Sequence, residues 1–84
     1  MGKKDKLLAR LKSKPKDFTF AETEALLEYL GYVRSDKGKT SGSRIAFKNP
    51  QHRTIMLHKP HPRKELLEYQ VKELISTLKE EGLL

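Results

Sequence analysis

Two histidines and one arginine are the side chains of this 84-residue chain best suited to carry out a reaction. His58 and His61 lie in the stretch TIMLHKPHPRKE, and Arg44 begins the stretch RIAFK. An imidazole titrates near neutral pH, so a histidine can accept or donate a proton. An arginine can stabilise negative charge on phosphoryl oxygens. Together these groups suit metal-free RNA cleavage, which needs a base for the 2′-hydroxyl, an acid for the leaving oxygen and a cation for the phosphate.

Three short strands are predicted to hold Arg44 and His58. The segments YVRSD, SRIAFK and TIMLHK alternate apolar and polar residues and are separated by turn-forming segments, a pattern that predicts an antiparallel sheet. Alternation places one set of apolar side chains on the covered side of the sheet, namely Ile45, Phe47, Ile55 and Leu57. Their neighbours then face the other side, namely Arg44, Ala46, Lys48, Thr54, Met56 and His58.

The register between the second and third strands decides how close Arg44 and His58 lie. If Lys48 lies opposite Thr54, Arg44 lies directly opposite His58, with Cβ atoms about 5 Å apart. A shift by two residues keeps like faces together but leaves His58 diagonal to Arg44. In both registers the two residues share one patch, although His58 could instead only hydrogen-bond a neighbour on the sheet.

Helices are predicted before and after the strands. Leu7, Leu8 and Leu11 indicate a short helix that ends before Pro15, within an N-terminal extension at 1–17. A single domain then spans 18–84. Its first helix has a capping box at Thr19 and Glu22 and a glycine C-cap at Gly31. The fold class is α+β, a three-stranded antiparallel sheet with helices packed on one face and the other face open.

The last helix is expected to begin at Pro62 and to end near Gly82, because proline suits the first helical position. Its apolar residues at helical spacing are Leu67, Val71, Leu74, Ile75 and Leu78. This start predicts His61 as the N-cap, where it would accept backbone hydrogen bonds or meet a phosphate. His58 and His61 would lie roughly 10 Å apart, too far to flank one phosphate. For His52, in a turn, we expect a solvated side chain without a partner.

The charge is unevenly distributed along the chain. Residues 32–64 carry a net charge of +8 and residues 1–16 carry +6, whereas 17–31 and 65–84 carry −4 and −3. A basic segment between acidic helices predicts a surface for a phosphate-bearing partner. Acidic helices suit a DNA major groove badly, so RNA is the preferred nucleic acid. The chain has no cysteine and no long apolar run, which predicts a cytoplasmic location without a membrane.

The order of these elements resembles a known family. GSRIAF, then HKPHPRKEL and a final amphipathic helix, is similar to the HicA family of bacterial toxins over about residues 20–84. The resemblance implies a fold like that of a double-stranded-RNA-binding domain and metal-independent cleavage of mRNA without a cofactor. It also implies a HicB-like antitoxin as partner. In the best-known members a catalytic histidine follows the Gly-Ser pair, whereas here Arg44 follows Gly42 and Ser43.

From these considerations we predict a mRNA interferase whose catalytic residues are His58 and Arg44. His58 would replace the missing family histidine from the facing strand, with His61 as the alternative proton-transfer residue. The predicted RNA-binding residues are Arg34, Lys39, Ser43, Lys48, Lys59 and His61, and no metal site is expected. The alternative function is a noncatalytic RNA-binding module that uses the same basic face.

Overall fold

The computed structural model describes residues 2–35, 44–59 and 63–84. In chain order the elements are α1 (Lys3–Lys12), α2 (Phe20–Tyr29), β1 (Val33–Ser35), β2 (Arg44–Asn49), β3 (His52–His58) and α3 (Glu68–Glu80). The strands form an antiparallel sheet in the order β1-β2-β3. The predicted α+β fold class is therefore confirmed. None of the helices in the described ranges has the length and apolar character needed to cross a membrane.

An apolar core fills the space between the helices and one side of the sheet. The four strand residues predicted to face inward are all less than 10% exposed, and the rings of Phe20 and Phe47 lie 6.3 Å apart. Each helix contributes buried side chains to the same cluster, among them Leu11, Leu26, Leu27, Val71, Leu74, Ile75 and Leu78. The helices thus pack on one face and leave the opposite face of the sheet open, as the alternation predicts.

Both ends of α2 follow from its sequence. Glu22 N–H donates to the Thr19 hydroxyl at 3.1 Å, and the Glu22 carboxylate accepts from Thr19 N–H at 2.9 Å. This reciprocal pair is the predicted capping box. At the other end Gly31 adopts φ +94°, and a Cβ there would lie 3.0 Å from Asn49 Nδ2. Gly31 is therefore favoured by its left-handed backbone conformation, and a side chain there would also require the Asn49 amide to shift.

The helix α1 packs on the domain through Leu11, which is fully buried in the same core as the sheet residues. Its neighbour Arg10 makes two hydrogen bonds to the Glu22 carboxylate, at 2.8 and 3.1 Å, and a third to the Asp17 backbone carbonyl at 3.0 Å. A two-point arginine–carboxylate contact fixes orientation as well as distance. The α1 helix is thereby tied to the start of α2.

The bond to Arg10 lowers the pKa of Glu22, and burial opposes this shift. A carboxylate whose folded pKa lies below its unfolded value stabilises the fold above the unfolded pKa, and this contribution is lost as the pH falls through the folded pKa. We expect Glu22→Gln to cost about 1 kcal/mol at pH 7, and the difference from wild type to shrink below about pH 4. Urea unfolding at pH 7 and pH 3 measures both. An equal loss of unfolding free energy at the two pH values would contradict a contribution from the Arg10–Glu22 ion pair.

The start of α3 differs from the prediction. The helix begins at Glu68, with Leu67 in the N-cap position, so it does not start at Pro62 and His61 is not its N-cap. Both Pro62 and His61 lie outside the described residues.

The preceding segment pairs with the entry to α2 instead of forming a helical turn. Leu66 N–H donates to the Phe18 carbonyl at 2.8 Å, and Phe20 N–H donates to the Lys64 carbonyl at 3.0 Å. Backbone groups used in this way are not available for the first turn of a helix. As a result Leu66 is 2% exposed, whereas Leu67, predicted to cover the core, is 37% exposed.

Candidate functional site

The sheet surface opposite the helices, which we name the open face, carries the candidate site. Arg44 pairs with His58 and Ala46 pairs with Met56 across β2 and β3. This is the closer of the two registers allowed by the sequence. His58 is exposed at the end of β3. The sheet therefore places an exposed imidazole directly opposite the backbone position of Arg44.

A bulge interrupts the ladder next to the turn. The pairs Phe47–Ile55 and Asn49–His52 leave one residue of β2, Lys48, opposite two residues of β3, Arg53 and Thr54. A bulge of this kind increases the local twist of the strand. Lys48 and Thr54 are both exposed, as predicted for residues of the open face.

Apolar and small side chains occupy the middle of the open face. Met56 is 56% exposed and Val33 is 66% exposed. Ser35 lies opposite Ala46, and Ala46 lies opposite Met56 on its other side. This row of small residues ends at a flexible thioether, which can adapt to the shape of a flat ligand. The centre of the open face thus offers a shallow apolar surface between Lys48 and His58.

A buried glutamine holds the backbone of His58. Gln70, in the first turn of α3, is only 4% exposed. Its Nε2 donates to the His58 carbonyl at 2.9 Å, and its Oε1 accepts from Leu67 N–H at 2.9 Å. One side chain therefore caps α3 and fixes the end of β3. The sequence analysis missed this role, although a glutamine between the apolar positions Leu67 and Val71 is a signal for it.

Two predicted RNA-binding residues lie on the helix side of the sheet. Arg34 pairs with the buried Phe47, and its guanidinium donates to the Glu24 carboxylate of α2 at 3.0 Å. The Lys59 ammonium lies 5.9 Å from the centre of the Phe20 ring. The structure therefore does not bring Arg34 and Lys59 together with His58 on the open face.

Of the other predicted site residues, Lys48 lies on the open face, and Lys39, Ser43 and His61 lie outside the described residues. The side chain of Arg44 also lies outside the described part of the structure. Of the predicted interface, the structure thus describes His58, Lys48 and the backbone position of Arg44.

His52 is not the solvated turn residue that we expected. It begins β3, stacks against Tyr32 at a ring distance of 6.4 Å, and its Nδ1 lies 3.0 Å from Glu81 Oε1. This hydrogen bond lowers the pKa of Glu81, while burial raises the pKa of the Tyr32 hydroxyl. The partner was hidden from sequence analysis because Glu81 follows 29 residues later. The contact fastens the end of α3 to the sheet.

A comparison with protein families addresses the identity of the chain. A family model described as "HicA toxin of bacterial toxin-antitoxin" matches residues 20–83. The chain belongs to the HicA toxin family. The match includes the whole sheet and both α2 and α3, so this HicA chain carries the open face within its family region. Membership identifies it as the toxin of a toxin–antitoxin system with an antitoxin as partner.

No curated protein and no solved structure matches this HicA chain at the similarity that we required. The likeness to a double-stranded-RNA-binding domain therefore stays a prediction beyond the shared α+β class. The roles of individual residues also rest on their chemistry and position in this chain.

Proposed function

We propose that this HicA chain is a metal-independent endoribonuclease that cleaves mRNA in the cytoplasm and is neutralised by a HicB-like antitoxin. The observation that supports the proposal most directly is the exposed His58 on the open face, opposite the backbone position of Arg44. Family membership supports the toxin role. The register brings together one proton carrier and one cationic residue, which are two of the three groups that metal-free RNA cleavage needs.

In the proposed reaction the 2′-oxygen of a ribose attacks the adjacent phosphorus, and the bond from phosphorus to the 5′-oxygen breaks. A base takes the 2′-hydroxyl proton, and an acid returns a proton to the 5′-oxygen. The products are a 2′,3′-cyclic phosphate and a 5′-hydroxyl. His58 is proposed for one of these proton transfers, while Arg44 stabilises charge on the non-bridging oxygens. His61 is the alternative proton-transfer residue.

Lys48 and the central row of the open face are proposed to hold the RNA strand. Lys48 would contact one phosphate of the RNA, and His58 would lie at another phosphate further along the RNA strand. Met56 and Ala46 would contact a base between these two phosphates. A phosphate contact of this kind contributes affinity that falls with salt concentration. The same exposed surface would attract an acidic antitoxin, so RNA and antitoxin would exclude one another.

We expect Lys48→Glu to weaken RNA binding and antitoxin binding together, each by roughly tenfold, because like charges then meet at both interfaces. We expect the gene beside this one to encode the antitoxin for this test. Affinities of the purified chain for a short RNA and for the antitoxin measure the effect. Lys4→Glu, an equal charge change in the first turn of α1, is the matched control.

A direct competition completes this test. Saturating antitoxin should displace bound RNA, and coexpression of the antitoxin should relieve growth arrest caused by the toxin. A ternary complex of toxin, antitoxin and RNA would contradict a shared surface. Normal growth during high-level expression of the chain alone would contradict the toxin role.

One observation favours the alternative of a noncatalytic RNA-binding module. Within the described residues, the His58 imidazole has no hydrogen-bond partner, whereas a general base is often oriented by a second group. In a binding module the open face would hold RNA through Lys48 and its central row without breaking it. Cleavage distinguishes the two functions, because both would bind RNA in a salt-dependent manner.

A further inference from the structure

A second surface with a distinct chemistry lies on the helix side of the molecule. It is a groove of about 450 Å³ between the α1–α2 connection and the start of α3. All of its described lining residues come from these segments and none from the sheet, namely Lys14, Pro15, Lys16, Arg63, Leu66, Leu67, Glu68, Val71 and Lys72. The volume falls within the range of about 300–1,000 Å³ typical of ligand sites. We name it the basic groove.

Cations surround an apolar floor in the basic groove. Four lining residues are basic and one, Glu68, is acidic, which gives a net charge of +3. Arg63 is held in place because its Nε donates to the Glu65 carbonyl at 3.1 Å. In the described part of the chain, no carboxylate pairs with Lys14 or Lys16. Two ammonium groups are thus available beside Leu67, whose side chain is exposed in the groove.

The backbone at Lys14 provides an independent observation. Lys14 has φ +53° directly after α1, at the position where a helix commonly ends with glycine. A side chain other than glycine, asparagine or aspartate is disfavoured in this left-handed conformation. Strained residues of this kind are found preferentially at functional sites. Lys14 therefore lines the groove in a backbone conformation that glycine would adopt with less strain.

We propose that the basic groove binds an acidic amphipathic segment of the antitoxin, with its apolar side chains on Leu67 and Pro15 and its carboxylates at the lysines. The groove has apolar walls but no aromatic residue in its described lining. Single-stranded RNA is usually held by aromatic stacking as well as by charge, so a peptide with aliphatic and acidic side chains fits better. The proposal rests on the toxin–antitoxin part of the proposed function and is independent of RNA cleavage.

Two contact surfaces on one toxin have a mechanistic consequence. An antitoxin that covers the open face and also places a tethered segment in the basic groove binds the second surface at a high effective concentration. Its affinity then exceeds that of either contact alone. Loss of the groove contact would lower the affinity for the antitoxin without changing the RNA site.

Titration of the ¹⁵N-labelled chain with a synthetic helical peptide tests the proposal. The probe has about 15 residues, long enough to form a helix, with leucines on one face and glutamates beside them. We expect saturable shifts of the amides of Leu66, Leu67 and Val71, and a loss of binding when the leucines of the peptide become serines. A lack of saturation, or the same shifts produced by a short single-stranded RNA instead of the peptide, would overturn the proposal.

Variants distinguish binding in the groove from nonspecific charge attraction and from loss of the fold. The double variant Lys14→Glu with Lys16→Glu should bind the peptide and the full antitoxin at least about tenfold more weakly, with the rate of RNA cleavage unchanged. The matched control, Lys3→Glu with Lys4→Glu, should change both affinities less than about twofold. Lys14→Gly should keep or raise the melting temperature and still weaken the peptide. Equal losses of affinity in the control variant would show that binding depends on nonspecific charge and would overturn the proposal. Unchanged antitoxin affinity in the groove variant would also overturn it, because the groove would then not bind the antitoxin.

Discussion

Replacing His58 with alanine is expected to lower the rate of RNA cleavage by about 10²- to 10⁴-fold, the usual contribution of a positioned acid or base. The melting temperature should stay within a few degrees of wild type, because the imidazole is exposed and has no described hydrogen-bond partner. RNA affinity should also change little. Single-turnover cleavage at saturating protein, together with a binding titration, measures the two effects separately.

Two further variants sharpen this experiment. Thr54→Ala, an exposed residue of the same strand and face, should leave the cleavage rate within about threefold of wild type. Arg44→Ala should lower both cleavage and binding, because a cation contributes to each. Full activity in His58→Ala would remove His58 from the mechanism and leave His61 as the candidate.

The second large effect concerns α1, which lies outside the region matched by the family model. Leu11→Ala is expected to cost about 2–5 kcal/mol of unfolding free energy, because it removes a fully buried side chain and leaves a cavity. Domains of this kind are usually stable by only about 5–15 kcal/mol. The variant should therefore unfold at a much lower urea concentration than wild type.

The neighbouring exposed position provides the control for Leu11. Lys12→Ala should change stability by less than about 0.5 kcal/mol, since Lys12 is exposed in the same helix. A Leu11→Ala variant as stable as Lys12→Ala would show that α1 does not pack on the core in solution. In that case residues 1–17 would contribute nothing to the stability of the domain that follows them.

The elements that sequence analysis predicted well depend on local patterns. The α2 helix carries its own capping box and its glycine C-cap, so no distant contact is needed to predict its ends. The inward and outward residues of β2 and β3 follow from a strict period of two. Because only registers that join like faces were allowed, the sequence left two registers for Arg44, and the structure has the one that pairs it with His58.

The errors arose where distant contacts outweigh local preference. A proline followed by charged residues is typical of a helix start, yet the segment around Leu66 pairs with Phe18 and delays α3 until Glu68. Alternation alone does not show that Glu24 of α2 approaches Arg34. Nor does the sequence show that Glu81 meets His52. Each of these partners is at least 10 residues away along the chain.

The net charge counted along the sequence is a poor guide to which surface of the molecule is basic. The central segment carries +8, but among its described residues Arg34 and Lys59 point to the helix side and Arg63 lines the basic groove. Arg53 pairs with Glu80 at the end of α3. Charge counted along a sequence is divided between both sides of a strand, so it does not show which surface is basic.

The presence or absence of RNA fragments tests the endoribonuclease proposal most directly. The purified chain, without antitoxin, is incubated with a defined mRNA in EDTA, at concentrations that saturate RNA binding. The proposed function predicts internal cleavage, with 2′,3′-cyclic phosphate and 5′-hydroxyl ends, and predicts that the His58→Ala variant leaves the RNA intact. Intact RNA with the wild-type chain, under conditions where binding is demonstrated, would contradict the endoribonuclease and favour the noncatalytic RNA-binding module.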